Sequence, residues 1–149
     1  MSDGIKGPIL VTAAIIENSR GEILIAQRPF AGTIAGGRWE FPGGKLEAGE
    51  DPATCIIREI REELGVDISL FSHNQCYGVY SYVYERGTGD VVLDPPMQIV
   101  LVVYRARLVS PVTSIVLNGV ESVKWVSRSV KPAEIFAPAD LAIVADLWR

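Results

Sequence analysis

Residues 44–66 read GKLEAGEDPATCIIREIREELGV, and this stretch largely decides the fold and chemistry expected of the chain. It predicts a helix that begins at Pro52, with Asp51 as its N-cap, because proline at the first helical position loses no hydrogen bond. The helix should end at Leu64, where Gly65 can take the left-handed conformation of a C-terminal cap. A glycine-containing loop therefore leads into one well-delimited helix.

The predicted helix has an apolar side and an acidic side. Five apolar residues recur at the i, i+3, i+4 and i+7 spacing of a buried face: Ala53, Ile56, Ile57, Ile60 and Leu64. On another side, Glu62 and Glu63 follow Glu59 at i+3 and i+4, within a sector of about 100°. Carboxylates this close repel each other unless a cation lies among them. A divalent metal is the obvious candidate, and metals held by few carboxylates usually hold phosphates too.

An ordinary solvent-exposed helix can show the same alternation of Glu and Arg, since such pairs stabilise a helix by about 0.2–0.5 kcal/mol each. The preceding loop argues against that alternative, because its glycine and glutamate stand at fixed distances from the helix. The residues in question are Gly44, Glu50, Arg58-Glu59-Ile60, Glu62-Glu63 and Gly65-Val66. These positions resemble the complete Nudix box, the signature of the Nudix hydrolases.

Three flanking segments extend this resemblance to the MutT-type nucleoside triphosphate pyrophosphohydrolases, including CTP-type enzymes: Ile23–Arg28, Trp39–Gly44 and Phe136–Asp140. The resemblance implies a Nudix α/β/α sandwich around a mixed β-sheet. The residue pattern agrees, with two helices (the second from near Pro138 to Trp148) and five strand-like runs. These runs are Ile9–Glu17, Ile23–Gln27, Gln75–Glu85, Gln98–Leu108 and Ser122–Ser127. On the second helix we expect four side chains to face inward: Leu141, Val144, Leu147 and Trp148.

The resemblance also implies a site for Mg²⁺ or Mn²⁺ that serves pyrophosphate hydrolysis. Its implied ligands are the carbonyl of Gly43 and the carboxylates of Glu50, Glu59, Glu62 and Glu63. In such a site Arg58 would orient Glu59. The general base is Glu59 or Glu121, an acid in the loop before the Trp125 strand, and a surface role for Glu121 remains an alternative.

The nucleotide should lie next to this metal site, and the resemblance implies its contacts. Arg28 would contact the nucleotide, although a strand-end arginine can also reach into water. Lys45 would meet phosphate oxygens, and Trp39 is a candidate for base stacking. Asp140 would accept hydrogen bonds from a base edge, or complement a helix dipole. Tyr82 stands where dinucleoside polyphosphate hydrolases often carry a tyrosine.

The composition is that of one globular domain, which we assign to residues 1–149, with 48% hydrophobic and 21% charged residues. The net charge is −4 and no basic stripe is visible, so we expect a small-molecule nucleotide as partner and no nucleic acid polymer. The apolar run Ile9–Ile16 is too short to cross a membrane. An exposed strand or the Arg86–Pro96 loop could form a homodimer contact.

Cys55 and Cys76 lack the C-x-x-C spacing of zinc ligands, and His73 is the sole histidine. Two isolated thiols are typical of a reducing compartment and favour the cytoplasm. Three functions remain open at this point. They are a nucleoside triphosphate pyrophosphohydrolase, a dinucleoside polyphosphate or ADP-sugar hydrolase, and a non-catalytic nucleotide-sensing Nudix domain. The last is disfavoured because such domains typically lose carboxylates of the box.

Overall fold

The computed structural model describes residues 4–88 and 91–149. Its elements follow in chain order: β1 (Lys6–Glu17), β2 (Glu22–Gln27), β3 (Trp39–Glu40), β4 (Gly43–Lys45), α1 (Pro52–Leu64), β5 (Ile68–Leu70), β6 (Gly78–Tyr84), β7 (Gly87–Thr88), β8 (Val91–Val92), β9 (Met97–Leu108), β10 (Ser122–Ser127) and α2 (Leu141–Leu147). Short 3₁₀ turns occupy Val112–Ser114 and Pro138–Asp140. Within the described ranges, no helix is both long and apolar enough to cross a membrane.

One mixed sheet of eight strands forms the middle of the molecule, with the order β10-β2-β1-β9-β5. The short strands β3 and β4 and the longer β6 add to β2, β1 and β9 respectively. β1 and β9 run parallel, whereas β2, β4, β5 and β6 are antiparallel to their partners. The mixed sheet expected from the resemblance is therefore confirmed.

Alternate residues of each strand point to opposite faces of this sheet, so each face carries its own hydrophobic core. The core on one face forms between the sheet and α1, and its buried residues include Ala14, Ile16, Leu24, Ile56, Ile60 and Leu64. The core on the other face forms between the sheet and α2, and its buried residues include Ala13, Ile15, Ile23, Ile25, Ile143 and Leu147. The two helices thus cover opposite faces, and this arrangement is the predicted α/β/α sandwich.

The predicted limits of α1 are confirmed. Asp51 caps the N-terminus, since its side chain accepts a hydrogen bond from the Thr54 N–H at 2.9 Å. At the other end Gly65 has φ +66° and donates its N–H to the carbonyl of Arg61. Local sequence was sufficient here because both caps lie within three or four residues of the groups they satisfy.

The strand predictions hold for β1, β2, β6, β9 and β10 to within three residues at each end. Five strands of two or three residues were not predicted: β3, β4, β5, β7 and β8. Such strands are too short to show an alternating pattern, and β3, β4 and β5 are defined by pairing with distant strands. Residues Arg86–Pro96 connect two antiparallel strands as predicted, and they contain the β7–β8 hairpin.

The prediction that Leu141 faces inward is wrong, because 53% of this residue is exposed. Ile143 takes the buried position, together with Val144 and Leu147. At about 100° per residue, the buried Ile143, Val144 and Leu147 fall within a sector of about 100°, and Leu141 lies about 110° from the middle of that sector. The buried face of α2 is therefore centred on Ile143, Val144 and Leu147.

The two leucines of α2 provide a matched test of this packing. Leu147→Ala should lower the free energy of unfolding by about 2–5 kcal/mol because it removes a buried side chain and leaves a cavity. Leu141→Ala should change it by about 0.5 kcal/mol or less, as an exposed substitution does. Urea unfolding followed by circular dichroism measures both, and equal effects would contradict the observed orientation of α2.

Candidate active site

A cavity of about 660 Å³ lies beside β1, β4, β9 and α1. Its volume is within the roughly 300–1,000 Å³ typical of small-molecule sites. The polar side chains on its wall are Thr12, Arg28, Thr33, Glu40, Lys45, Glu59, Glu63, Tyr84 and Asp140. Of the residues implied by the Nudix resemblance, the cavity brings together Arg28, Gly43, Lys45, Glu59, Glu63 and Asp140.

Arg58 organises the acidic side of α1. Its guanidinium binds both carboxylate oxygens of Glu50, with Nε to Oε2 at 2.6 Å and Nη2 to Oε1 at 2.9 Å. The remaining nitrogen, Nη1, donates to Glu59 and to Glu62, both at 3.0 Å. Nη2 also donates to the carbonyl of Lys45 at 3.2 Å. This guanidinium lowers the pKa of Glu50 to about 2, so one arginine joins the loop to the helix.

Close approach of backbone to carboxylate explains the two glycines before Lys45. A Cβ at Gly44 would overlap the Glu59 carboxylate, and a Cβ at Gly43 would overlap the carbonyl of Thr12. Both positions therefore exclude side chains for steric reasons. The absence of side chains lets β4 pair closely with β1 while the Glu59 carboxylate lies directly against the loop.

Glu63 is the most perturbed acid of α1. Its Oε2 is buried and, among the residues that the structure describes, has no hydrogen-bond partner. Burial raises the pKa of Glu63 to about 8, and the nearby Glu40 and Glu59 carboxylates add to this rise. Burial also raises the pKa of Glu59, against the opposing effect of Arg58. An unpartnered buried carboxylate beside a second acid is favourable only with a cation or a proton between them.

The donor set fits a divalent metal, because hard cations prefer carboxylate and carbonyl oxygens. Across residues 4–88 and 91–149, however, no three His, Cys, Asp or Glu side chains already stand in a metal-binding group. The Glu62 carboxylate instead accepts a hydrogen bond from Arg58 Nη1 at 3.0 Å, 55% of its side chain is exposed, and it is not on the cavity wall. Convergence of Glu59, Glu62 and Glu63 on one ion therefore stays a prediction.

A second polar cluster surrounds Arg28 on the cavity wall. Arg28 donates through Nη1 to Glu40 at 2.8 Å, through Nη2 to Thr33 Oγ1 at 2.6 Å and through Nε to the Ile34 carbonyl at 2.7 Å. Asp140 is buried nearby, and its Oδ2 accepts the Phe41 N–H at 2.9 Å. Burial and the Glu40 carboxylate hold the pKa of Asp140 well above its usual range.

Glu40 is a cavity residue that sequence reasoning missed. One available signal was a lone acid between two aromatic residues in the segment Trp39-Glu40-Phe41, directly before Pro42-Gly43-Gly44. Its link to Arg28 spans 12 residues and depends on how the intervening loop folds. No local periodicity reports a contact of that kind.

Six implied residues lie outside the cavity wall: Glu50, Arg58 and Glu62, which are described above, and Trp39, Tyr82 and Glu121. The Trp39 ring lies under the Lys124 ammonium at 5.7 Å and packs against the core on the α2 side. Tyr82 is partly exposed and makes an edge contact with the Tyr84 ring at 4.9 Å. Glu121 is exposed, and its backbone N–H donates to the carbonyl of Gln27 at 2.9 Å. Their functional roles remain predictions.

The structure is thus an α/β/α domain with a cavity lined by several acidic side chains. A model of the NUDIX domain matches residues 7–147, and the chain belongs to that family. The resemblance inferred from residues 44–66 is therefore confirmed over nearly the whole chain.

Two curated relatives are similar over less than half of this chain. The chain is 42% identical to the 8-oxo-dGTP diphosphatase of Proteus vulgaris over 64 residues, which cover 43% of this chain and 56% of that protein. It is 50% identical to the CTP pyrophosphohydrolase of Escherichia coli K12 over 62 residues, 42% of this chain and 44% of that protein. The matched region thus spans about half the length of these relatives.

A solved structure supports the fold over almost the full length. The crystal structure of the MutT protein from Methanosarcina mazei Go1 superimposes with a TM-score of 0.72. The comparison covers 98% of this chain and 94% of that one at 20% identity. At this identity the likeness establishes the shared fold, and the chemistry has to be argued from the cavity.

The unpartnered Glu63 carboxylate predicts a specific response to metal. Glu63→Gln should leave the melting temperature of the metal-free protein unchanged or higher, because it replaces a carboxyl group whose ionised form is disfavoured by burial and by the neighbouring acids. The wild type should gain about 2.7 kcal/mol of stability at a Mn²⁺ concentration 100 times its Kd, and Glu63→Gln should lose most of that gain. Thermal unfolding with EDTA and then with Mn²⁺ measures both effects.

The matched control is Glu47→Gln, which changes an exposed loop acid that is not on the cavity wall and whose carboxylate lies 3.7 Å from Arg58 Nη1. It should keep the full Mn²⁺ response. A Glu63→Gln variant stabilised by Mn²⁺ as strongly as the wild type would contradict the assignment of Glu63.

Proposed function

We propose that this protein is a metal-dependent nucleotide pyrophosphohydrolase that converts a nucleoside triphosphate to a monophosphate and pyrophosphate. The observation that carries the proposal is the buried, unpartnered Glu63 carboxylate, which lies near Glu59 on the wall of a nucleotide-sized cavity. Such a site favours a cation, and the cation in turn favours the polyphosphate of an anionic substrate.

Glu59, Glu63 and the Gly43 carbonyl would hold Mg²⁺ or Mn²⁺, with Glu50 and Glu62 as further ligands. When bound, the metal neutralises phosphate charge and lowers the pKa of a bound water. The proposal includes both Mg²⁺ and Mn²⁺, because both ions prefer the same oxygen ligands.

Three side chains of the protein itself would position the substrate and promote the reaction. Arg58 holds Glu59 against Gly44 and so fixes the direction of its carboxylate. Lys45 lies on the cavity wall, where an ammonium can meet phosphate oxygens. Glu59 is the preferred general base, because it lines the cavity whereas Glu121 is exposed at the start of β10.

The opposite end of the cavity would receive the base. Asp140 is held by the Phe41 N–H and can form hydrogen bonds to exocyclic amines or ring N–H groups. This chemistry suits cytosine, adenine or an oxidised guanine. Relatives described as 8-oxo-dGTP diphosphatase and CTP pyrophosphohydrolase act on two such bases, and we propose the same substrate class for this chain.

The two alternative functions have less support. Tyr82, on which the dinucleoside polyphosphate alternative rests, is not part of the cavity wall. The box carboxylates Glu59, Glu62 and Glu63 are all present, which argues against a non-catalytic domain. We also propose a cytoplasmic location, supported by the free thiols of Cys55 and Cys76. The homodimer stays a prediction.

Hydrolysis assays with Glu59→Gln test this proposal. The variant should lose about 100- to 1,000-fold in kcat, the scale seen when one group that stabilises transition-state charge is removed. EDTA should abolish wild-type activity, and Mg²⁺ or Mn²⁺ should restore it. The substrate panel contains standard, oxidised and methylated nucleoside triphosphates, dinucleoside polyphosphates and ADP-ribose, with pyrophosphate release as the readout.

Glu47→Gln again serves as the control and should retain near wild-type turnover. Activity that survives EDTA, or a Glu59→Gln variant with normal kcat, would contradict the proposed chemistry. Preferential cleavage of a dinucleoside polyphosphate would instead support the second function.

A further inference from the structure

The β7–β8 hairpin interrupts the connection between β6 and β9 at the edge of the cavity. Its strands pair antiparallel, with Gly87 opposite Val92 and Thr88 opposite Val91. At its base Leu93 donates its N–H to the Arg86 carbonyl at 2.7 Å. The Leu93 side chain also packs against the core on the α2 side. The hairpin is therefore anchored to the sheet.

The two valines of β8 face opposite environments. Val91 is half-buried and lines the cavity, whereas 82% of Val92 is exposed. Neighbouring residues in a strand point to opposite sides, so this difference follows directly from the β-pairing. Val91 and Val92 therefore have identical side chains, but only Val91 lines the cavity.

Val91 continues an apolar surface that β9 begins. Met97, Ile99 and Leu101 alternate along β9 on one face of the sheet, and all three line the cavity with Val91. We call these four residues the apolar wall. The charged side chains of Glu59, Glu63 and Lys45 line the same cavity, and we call these three residues its charged part.

A nucleotide likewise has a charged part and an apolar part. The polyphosphate is anionic, and the base has flat apolar faces and a polar edge. The charged part fits the polyphosphate with its metal. The apolar wall fits a base face, and Asp140 and Glu40 supply acceptors for a base edge. Pockets of this type gain affinity from the apolar area and selectivity from a few polar groups.

We propose that the β7–β8 hairpin is a specificity element, whose Val91 closes the apolar wall against the nucleobase. This inference rests on the proposed function, because it assumes that a nucleotide occupies the cavity. Val91 contributes to recognition of the base and not to the hydrolysis of the phosphate chain. The hairpin thereby limits the size and shape of the bases that the cavity accepts.

The contribution of Val91 to base recognition can be measured separately from hydrolysis by measuring the affinity for nucleoside monophosphates, the products of the proposed reaction. The probes are CMP, 8-oxo-dGMP, dGMP and AMP, with ribose 5-phosphate as the probe that lacks a base. Isothermal titration calorimetry measures Kd for the wild type and for Val91→Ala, Val91→Asp, Val92→Ala and Val92→Asp. The Val92 variants are matched controls, because they make the same changes on the exposed side of the hairpin.

Val91→Ala should weaken binding of the preferred monophosphate about tenfold, the scale of a lost methylene contact in an apolar pocket. Val91→Asp should weaken this binding further, because the bound base would cover the added carboxylate and remove part of its hydration. Both variants should bind ribose 5-phosphate as the wild type does. Both Val92 variants should stay within twofold of the wild type for every probe.

Three results would overturn the inference. The first is equal monophosphate affinity in the Val91 and Val92 variants. The second is a parallel loss of ribose 5-phosphate binding in the Val91 variants, which would indicate a general structural effect. The third is a wild type that binds monophosphates no better than ribose 5-phosphate. The proposed hydrolysis can fail independently of this inference. If the protein hydrolyses no nucleotide but still binds monophosphates in a base-dependent way that Val91 controls, the inference holds and the proposed activity does not.

Discussion

The ion pairs of Arg58 are the interaction on which the site depends. One guanidinium binds Glu50 in a bidentate pair, contacts Glu59 and Glu62 and reaches the carbonyl of Lys45. Without it, acids of the loop and of α1 would repel each other across a few ångströms. Arg58 neutralises several of these acids, yet it leaves the Glu63 carboxylate without a partner. We propose that a bound cation stabilises the ionised form of this carboxyl group, whose pKa is otherwise raised to about 8.

Sequence predicted those parts of this arrangement that are local. The caps of α1 and the i+3 and i+4 spacing of its acids follow from neighbouring residues, so they could be deduced directly. The Arg28–Glu40 pair could not, because a loop must fold before the two side chains meet. The contact between Asp140 and the Phe41 N–H spans 99 residues and exists only in the folded chain.

The sheet explains how distant segments share one cavity. β1 runs parallel to β9 and antiparallel to β4, so the glycine loop and the apolar residues of β9 flank the same strand. The short strands that bring these groups together carry little pattern of their own, which is why sequence analysis overlooked them. We propose that metal binding depends on α1 and β4, and that base recognition depends on Asp140, Glu40 and the β7–β8 hairpin.

We propose that a cation binds between Glu63 and Glu59, next to Gly43 and Gly44. Crystals grown with Mn²⁺ and a nucleoside monophosphate would locate the ion directly by anomalous diffraction. We expect a peak within about 2.5 Å of carboxylate oxygens of both residues, as metal–oxygen coordination requires. A Mn²⁺ peak elsewhere, with Glu63 still unpartnered in the cavity wall, would contradict it.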